Sequence, residues 1–319
     1  MTEITKMMPT IKPMEPVLVS RPFDDPRYLY QIKWDGIRII TYLSSGGVEL
    51  RTKNGRLRTE QYPELLKVKE CFTGENAILD GEAIVLGQQG IPSFHKILQR
   101  DLRKRVTPEV MSANPVVYMV FDLLYLNNKF VTGLPLAERQ KLLQQHLREA
   151  GHVFLCQNYS CGAELFQIME EKGMEGIVAK EKSGLYHCGE KNRTWQKIKC
   201  FRTMEAILGG VALKEGQISA LLVGLPGAGE KQGLQYIGKV SSGLRQSELR
   251  QLHRLLAVYG DVNDKKSPFS GRPRPEKGEK VIWLPPYLVV RIQYLELTEK
   301  GVLRNPVFLG IGERNSFLK

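Results

Sequence analysis

The sequence predicts a two-domain α+β protein, and three observations lead to this fold class. Strand and helix patterns are mixed in the first two-thirds of the chain, and short strands with glycine-rich turns follow. The change from one pattern to the other occurs near Arg202. A chain of 319 residues is long enough to form two domains, each with its own core. We therefore expect one domain at residues 1–201 and a second at residues 202–319.

The strands of the first domain are predicted from apolar runs and the turn residues between them. Residues 1–30 contain five prolines, which predict an extended lead-in rather than a helix. The segment Lys53–Arg56 predicts a turn. Strand patterns lie at Tyr28–Tyr42 with an interruption at Lys33–Gly36, and at Val48–Thr52, Ala77–Leu86 and Val116–Leu126.

Two helices are predicted in the same domain. Pro135–Ala150 has a proline in its first turn and Gly151 just beyond its end, and Ala163–Lys172 is followed by Gly173. Proline at the start and glycine just past the end are the usual asymmetry of helix termini.

The second domain is predicted to be a small barrel such as an OB-fold. Several short strands with glycine-rich turns and a single helix suit that architecture. The polar, proline-rich stretch 261–279 predicts a mobile surface loop. The strands are expected at Met204–Leu213, Ile218–Val223, Leu234–Val240, Val281–Leu284 and Leu288–Leu297, and the helix at Ser247–Tyr259, with Gly260 after it.

The charge balance favours a polyanionic partner. Lys and Arg number 46 against 34 Asp and Glu, so the formal charge is +12, and nucleic acid is the first candidate. A basic enzyme of another kind remains an alternative. No run approaches the ~18 apolar residues of a membrane span, and the N-terminus lacks a signal-peptide core. We therefore expect a soluble, cytoplasmic protein that does not bind a membrane.

The segment Lys33–Arg38, with the sequence KWDGIR, carries the most chemistry. It places an amine, a carboxylate and a guanidinium within six residues. This set suits formation of a covalent bond between a lysine and a nucleotide phosphate, provided that the amine is made nucleophilic. An isolated match of this length also fits a strand end with solvated charges.

Four further clusters follow downstream and favour the chemical interpretation. A strand period of two places Asp80 with Glu82, and Lys197 with Lys199, on common faces. Two lysines suit a phosphate chain, carboxylates such as Glu82 and Glu175 suit Mg²⁺ together with phosphates, and Phe121 can stack on a base. Taken singly, each cluster has a structural alternative. Asp80 with Glu82, and Lys197 with Lys199, could be solvated strand faces, Phe121 could be a core residue, and Glu175–Lys180 could be a charged helix-to-strand connection. The clusters are Asp80–Glu82, Phe121–Asp122, Glu175–Lys180 and Lys197–Lys199.

In this order, the five segments resemble the motifs of the covalent nucleotidyltransferases, and among them the ATP-dependent DNA ligases. The resemblance runs from about Pro16 to Leu309. The stretch Thr298–Gly310 is similar to the end of the ligase module in bacterial end-joining ligases. The resemblance implies an adenylation domain with antiparallel sheets and flanking helices, followed by an OB-fold β-barrel.

The resemblance also implies residue roles. Lys33 would carry AMP from ATP, pass it to the 5′-phosphate of a nick, and leave the 3′-hydroxyl to seal the strand. Glu82 and Glu175 would bind Mg²⁺ or Mn²⁺, and Lys53 and Arg56 the DNA. The nucleotide-binding residues would be Ile32, Arg38, Glu82, Phe121, Val178, Lys197 and Lys199. Nicked double-stranded DNA is the implied partner, with a DNA-end-binding repair protein by analogy, and a monomer is expected.

Two departures from the ligase pattern keep alternatives open. Thr52–Gly55 reads TKNG where such ligases have Ser-Arg-Asn-Gly, so Lys53 keeps the charge without the bidentate fork. The C-terminal R-x-D-K motif is not recognisable, and Arg304 or Arg314 is the candidate substitute. If neither arginine takes over its role, slow self-adenylation with intact later steps is expected. The alternatives are an RNA ligase or GTP-using capping enzyme, and a DNA-end-binding module with impaired self-adenylation.

Overall fold

The computed structural model describes residues 8–87, 90–227, 233–259, 266–271, 273–298 and 300–312. The chain divides into two compact units, one ending at Cys200 and the other beginning at Phe201. Within the described residues, none of the helices combines the length and the apolar character needed to cross a bilayer.

The first unit contains two sheets. One is four-stranded with the order β1-β10-β9-β2, and the other has the order β4-β3-β5-β6-β7 with β8 beside β6. All pairings are antiparallel except those of β1 with β10 and of β8 with β6. The strands are β1 (Glu15–Val19), β2 (Tyr28–Ile32), β3 (Ile37–Ser44), β4 (Gly47–Thr52), β5 (Ala77–Val85), β6 (Val116–Leu126), β7 (Lys129–Phe130), β8 (Val153–Leu155), β9 (Gly176–Glu181) and β10 (Lys191–Lys199).

In the described part of the first unit, five helices accompany these sheets, together with a 3₁₀ helix at Pro63–Lys67. Ser93 and Thr107 cap α2 and α3 by accepting a hydrogen bond from the backbone three residues on. Gly173 follows α5 in the left-handed conformation, with φ at 67°. The helices are α1 (Val68–Cys71), α2 (Phe94–Asp101), α3 (Pro108–Ala113), α4 (Leu136–His146) and α5 (Gly162–Glu171).

The four predicted strands and the interruption at Lys33–Gly36 are confirmed, whereas one predicted helix was too long. α4 ends at His146 and not at Ala150, because Leu147 turns extended and forms a bridge with Phe72. Leu147 is thereby buried in the core of the larger sheet. Tertiary burial has overridden the helical pattern here.

The extended segment before β2 is packed against the first unit and hydrogen-bonded to it. Met8, Ile11 and Met14 are buried against the strands of the larger sheet. Two tyrosine hydroxyls hold its backbone, since the Ile11 amide donates to Tyr42 and the Met14 amide donates to Tyr186.

The second unit contains a five-stranded antiparallel sheet with the order β13-β12-β11-β14-β17 and a separate β15-β16 pair. β14 is a single strand where the sequence predicted two, because the chain passes Pro285 and Pro286 in a register shift opposite β11. The elements are β11 (Arg202–Lys214), β12 (Gln217–Pro226), β13 (Leu234–Val240), α6 (Gln246–Tyr259), β14 (Glu279–Tyr294), β15 (Glu296–Leu297), β16 (Leu303–Arg304) and β17 (Val307–Ile311).

The prediction of a mobile surface loop at 261–279 is wrong for Pro268–Ser270, while residues 274–278 are exposed as predicted. The Phe269 side chain is only 5% exposed and lies edge-on to Tyr236 and Trp283. Its neighbours Pro268 and Ser270 exchange backbone hydrogen bonds with Leu234. One buried aromatic therefore fixes this segment to the sheet. Gly260 and the first residues of the stretch lie outside the described residues.

The Phe269 ring requires glycine beneath it. A Cβ placed at Gly209 would lie 2.5 Å from Phe269 Cζ, and one at Gly224 would lie 2.8 Å from Cε1. We expect Gly209→Ala to destabilise the second unit by about 1–3 kcal/mol, because the ring must move out of a packed site.

Chemical denaturation followed by tryptophan fluorescence checks this expectation. Gly271→Ala is the matched control, since a Cβ at Gly271 meets nothing within 4 Å. Equal stability of the two variants would contradict the role of Phe269.

Candidate functional site

A cavity of about 430 Å³ opens in the first unit and gathers the chemistry-bearing segments. The β2–β3 connection contributes Lys33, while side chains from β3, β5, β6, β9 and β10 supply the other walls. The predicted site residues that line the cavity are Ile32, Lys33, Lys53, Arg38, Arg56, Glu82, Phe121, Val178 and Lys197. Two predicted residues do not line it: Glu175 forms an ion pair with Lys33, and Lys199 forms an ion pair with Glu175.

Glu175 holds two lysines at the base of this site. Its Oε2 lies 2.6 Å from Lys33 Nζ, and its Oε1 lies 2.8 Å from Lys199 Nζ. Burial opposes ionisation of Glu175, but the two ammonium groups outweigh it and hold its pKa below the ordinary value. The Lys33 amine is therefore fixed by a charged hydrogen bond.

The backbone fixes the same arrangement. β10 pairs with β9 so that Lys199 lies opposite Gly176, and the Lys33 amide donates to the Gly176 carbonyl at 2.9 Å. Gly176 has φ at 137°, and a Cβ there would collide with the Ile198 carbonyl. Only glycine permits this close approach, so the glycine that follows Glu175 sets the distance between the two lysine-bearing segments.

Arg38 is fully engaged on one side of the cavity. Its Nε donates to Asp80 Oδ1 at 2.8 Å and its Nη2 donates to Oδ2 at 2.6 Å, while Nη1 donates to the Met14 carbonyl at 2.7 Å. Tyr186 completes the network by donating to Asp80 Oδ2 at 2.6 Å. The Asp80 carboxylate is fully buried, which excludes the alternative of an exposed strand face.

Glu82 presents a carboxylate to the cavity opposite Arg38 in the β3–β5 pairing. Burial raises its pKa to about 8, although Lys33 and Arg38 act in the other direction. This group therefore changes charge near neutral pH, and a nearby cation would restore its ionised form.

Phe121 reaches the cavity through a β-bulge. Asp80 pairs with Asp122 and Gly81 with Val120, so Phe121 is the extra residue on β6. A bulge re-aims the side chain that it carries. Gln140 caps the released Phe121 carbonyl with a 2.7 Å hydrogen bond. Phe121 therefore leaves the core, while the adjacent Asp122 turns inward to pair with Arg139.

Lys180 and Trp195 also line the cavity, although no role was predicted for either from the sequence. Lys180 Nζ lies 4.3 Å from the centre of the Phe121 ring and 4.0 Å from that of Trp195. Burial lowers the pKa of Lys180 to about 8, and Asp122 opposes the shift. The two ring faces also favour the ammonium form. Alternation along β9 was a usable signal, since it places Lys180 on the face of Val178.

A basic rim surrounds the cavity mouth. Lys53 and Arg56 lie there on the turn after β4, together with Arg58. Lys53 pairs with Glu15 at 3.2 Å, and both side chains are about half exposed. Burial and the ammonium groups of Lys33 and Lys199 lower the pKa of Lys197. The mouth is thus basic, with Lys53 paired to Glu15 and Arg58 paired to Asp101.

The carboxylates do not form a resident metal site by themselves. Across the ranges that the structure describes, no group of three or more His, Cys, Asp or Glu side chains could hold a metal ion. Both oxygens of Glu175 already accept ammonium groups. A magnesium ion needs further oxygen ligands beyond Glu82, so the residues fit a metal only when it arrives with phosphates.

Of the two candidate substitutes for the missing C-terminal motif, the structure describes only Arg304. Arg304 Nη1 donates to Glu296 Oε1 at 2.8 Å within the second unit. Arg314 lies outside the described residues. Gly312 donates its amide to the Val289 carbonyl at 2.8 Å, which holds the last described residue to β14.

Family models match both units. The model of the ATP dependent DNA ligase domain matches residues 12–199, and that of the ATP dependent DNA ligase C terminal region matches residues 214–314.

The multifunctional non-homologous end joining protein LigD of Mycobacterium bovis is 32% identical over 290 residues, which are 89% of this chain and 36% of that protein. LigD of Pseudomonas aeruginosa is 29% identical over 317 residues, or 97% of this chain and 36% of that protein. The chain thus spans about 36% of the length of these relatives.

Solved structures of DNA ligases are also similar to this chain. A mycobacterial DNA ligase D complexed with ATP and MES is 30% identical, with a TM-score of 0.54 over 94% of this chain and 95% of that one. A Lig E DNA ligase has a TM-score of 0.60 at 20% identity over 94% of this chain and all of that one, which bears on the fold alone. The chain belongs to the ATP-dependent DNA ligase family. Its similarity is to the minimal bacterial end-joining type, and the predicted adenylation-domain and OB-fold class is confirmed.

The Tyr186 hydroxyl is expected to control nucleotide binding through Arg38. It joins Asp80, the Met14 amide and Arg38 Nη2, the last at 3.2 Å. Tyr186→Phe should weaken ATP binding by about 1–3 kcal/mol, because Asp80 and Arg38 lose a buried partner.

Isothermal titration in a Lys33→Ala background measures this affinity without covalent chemistry. Tyr118→Phe is the control, since its buried hydroxyl joins Thr41 and Ile39 instead. The same loss of affinity in both variants would show that Tyr186 acts through general stability only.

Lys180 is expected to leave a signature in the pH dependence of stability. Its pKa falls from 10.5 in the unfolded chain to about 8 in the native state. The native state therefore binds fewer protons in that interval, and stability contributed by this site rises with pH. The advantage of Lys180→Met over the parent should be constant below pH 8 and shrink by up to ~3 kcal/mol by pH 10.5.

Urea unfolding of both proteins at a series of pH values measures the difference, in which the other titrating groups cancel. A difference that stays constant from pH 7 to pH 10.5 would mean that Lys180 keeps its ordinary pKa.

Proposed function

We propose that this protein is an ATP-dependent DNA ligase that seals nicks between a 5′-phosphate and a 3′-hydroxyl. The observation that carries the proposal is the Lys33 amine, held by Glu175 at 2.6 Å at the edge of a cavity that also contains Phe121 and Lys197. In this proposal residues 1–201 form the adenylation domain and residues 202–319 the OB-fold domain.

The first step joins Lys33 to AMP. The Lys33 nitrogen attacks the α-phosphorus of ATP, an N–P bond forms, and the bond to the pyrophosphate oxygen breaks. Lys33 must lose its ammonium proton, and the nearest base is Glu175. Lys197 neutralises phosphate charge as it develops, while Lys199 keeps Glu175 in position.

The remaining cavity residues orient the nucleotide. Phe121 and Val178 face the adenine ring, Ile32 packs beside it, and Arg38 and Glu82 lie on the side where the ribose would bind. Glu82 would hold a magnesium or manganese ion that arrives with the ATP phosphates, and Glu175 would do so once released from Lys33. When bound, the metal supplies charge neutralisation for the phosphate oxygens.

The later steps take place on DNA. AMP passes from Lys33 to the 5′-phosphate of the nick, and the 3′-hydroxyl then attacks that phosphorus and releases AMP. Lys53 and Arg56 bind phosphates of the nicked strand at the cavity mouth. We further propose a cytoplasmic monomer, with a DNA-end-binding repair protein as partner by analogy with the end-joining relatives.

Covalent labelling tests the proposal. The purified protein is incubated with α-labelled ATP and Mg²⁺, beside α-labelled GTP and a Lys33→Ala control, and label that survives denaturation is counted. We expect label from ATP alone and no label in the variant, because the attacking nitrogen has been removed. Nicked DNA and nicked RNA then separate a DNA ligase from an RNA ligase.

The other outcomes decide between the alternatives. Label from GTP would favour a capping-type enzyme. No label, even after pyrophosphate has removed any AMP bound during purification, would favour a DNA-end-binding module. That result would also make the altered C-terminal motif the cause.

A further inference from the structure

A basic ridge projects from the end of α2, outside the residues assigned so far. Arg103, Lys104 and Arg105 follow the helix consecutively, and all three side chains are exposed. Within the described ranges, no carboxylate lies at ion-pair distance from any of them. Three adjacent exposed cations create a positive potential that attracts an anionic partner.

The ridge is fixed to the cavity rim. Asp101, the last residue of α2, accepts hydrogen bonds from Arg58 Nε at 2.6 Å and Nη2 at 3.2 Å, and another from the Tyr62 hydroxyl at 2.8 Å. Arg58 and Asp101 both line the cavity mouth, together with Arg56. The ridge therefore begins where the proposed DNA contacts end, and it is held there by a bidentate ion pair.

The ridge also carries an exposed apolar side chain. Leu102 is 70% exposed and lies directly before the three cations, and Leu57 on the rim is 44% exposed. Leucines this open beside positive charge suit a partner that offers both phosphates and apolar faces. The sugars and base edges of a nucleic acid groove offer this combination.

We propose that Arg103, Lys104 and Arg105 bind the phosphate backbone of the DNA duplex beside the nick, with Leu102 against the sugars of a groove. The inference rests on the proposed ligase function, because it identifies the duplex as the occupant of this surface. It extends the DNA footprint from the turn after β4 onto the end of α2.

The test is the salt dependence of binding to nicked duplex DNA. Each phosphate contact adds about 0.9 to the slope of log affinity against log salt concentration. The triple variant Arg103→Ala, Lys104→Ala, Arg105→Ala should therefore lower that slope by about 2–3 and weaken binding at least tenfold at ~0.1 M salt. Its self-adenylation rate should equal that of the parent.

The matched control removes the same charge elsewhere. Lys141, Arg148 and Lys172 are exposed and do not line the cavity, so their triple alanine variant should keep the parent slope. Leu102→Ser should weaken binding without changing the slope. An unchanged slope in the ridge variant, or an equal change in the control, would overturn the inference.

Failure of the inference and failure of the function give different results. A parent protein that forms lysyl-AMP and binds nicked DNA, with a ridge variant of identical slope, refutes the ridge alone. A parent that neither labels with ATP nor binds nicked DNA refutes the ligase itself, and the ridge with it.

Discussion

The site depends on one buried carboxylate shared by two lysines. Glu175 at 5% side-chain exposure accepts from Lys33 and Lys199 at once, and its charge would be costly without them. The pairing ties the β2–β3 connection to the end of β10 across the start of β9. Gly176 makes the approach sterically feasible, so the backbone and the charges specify the same geometry.

A second buried network supports the opposite wall and brings distant parts of the chain together. Arg38, Asp80, Tyr186 and Met14 come from four separate segments, yet every polar group among them is hydrogen-bonded. Satisfied buried networks of this kind favour one arrangement over others. Arg38 lies over the Phe121 and Trp195 rings at 5.4 and 5.8 Å, so the same network also orients the aromatic wall.

Local sequence patterns predicted the strands that carry Glu82 and Phe121 and the strand interruption that contains Lys33, because these signals lie within a few residues. It failed where distant contacts decide the outcome. Tyr186 is 172 residues from Met14, the bulge at Phe121 depends on β5 and Gln140, and Phe269 turns a polar, proline-rich stretch into a packed segment. The helix ending at His146 rather than Ala150 has the same origin, since the Phe72 bridge outweighs helix propensity. The resemblance indicated the roles of the site residues, whereas their hydrogen-bond and ion-pair partners could be identified only from the folded structure.

The ion pairs of the first unit differ in burial, and therefore in how readily they can exchange partners. Asp122 with Arg139 is fully buried, Asp80 with Arg38 is nearly so, and Lys53 with Glu15 is about half exposed. Exposed pairs contribute little stability and exchange readily for another anion, whereas breaking a buried pair leaves an uncompensated charge. Incoming phosphates can therefore replace Glu15 at the mouth without disturbing the wall behind Arg38. The proposed ligase reaction needs this division, because the cations at the rim would have to change partners between nucleotide and DNA while those that shape the cavity keep theirs.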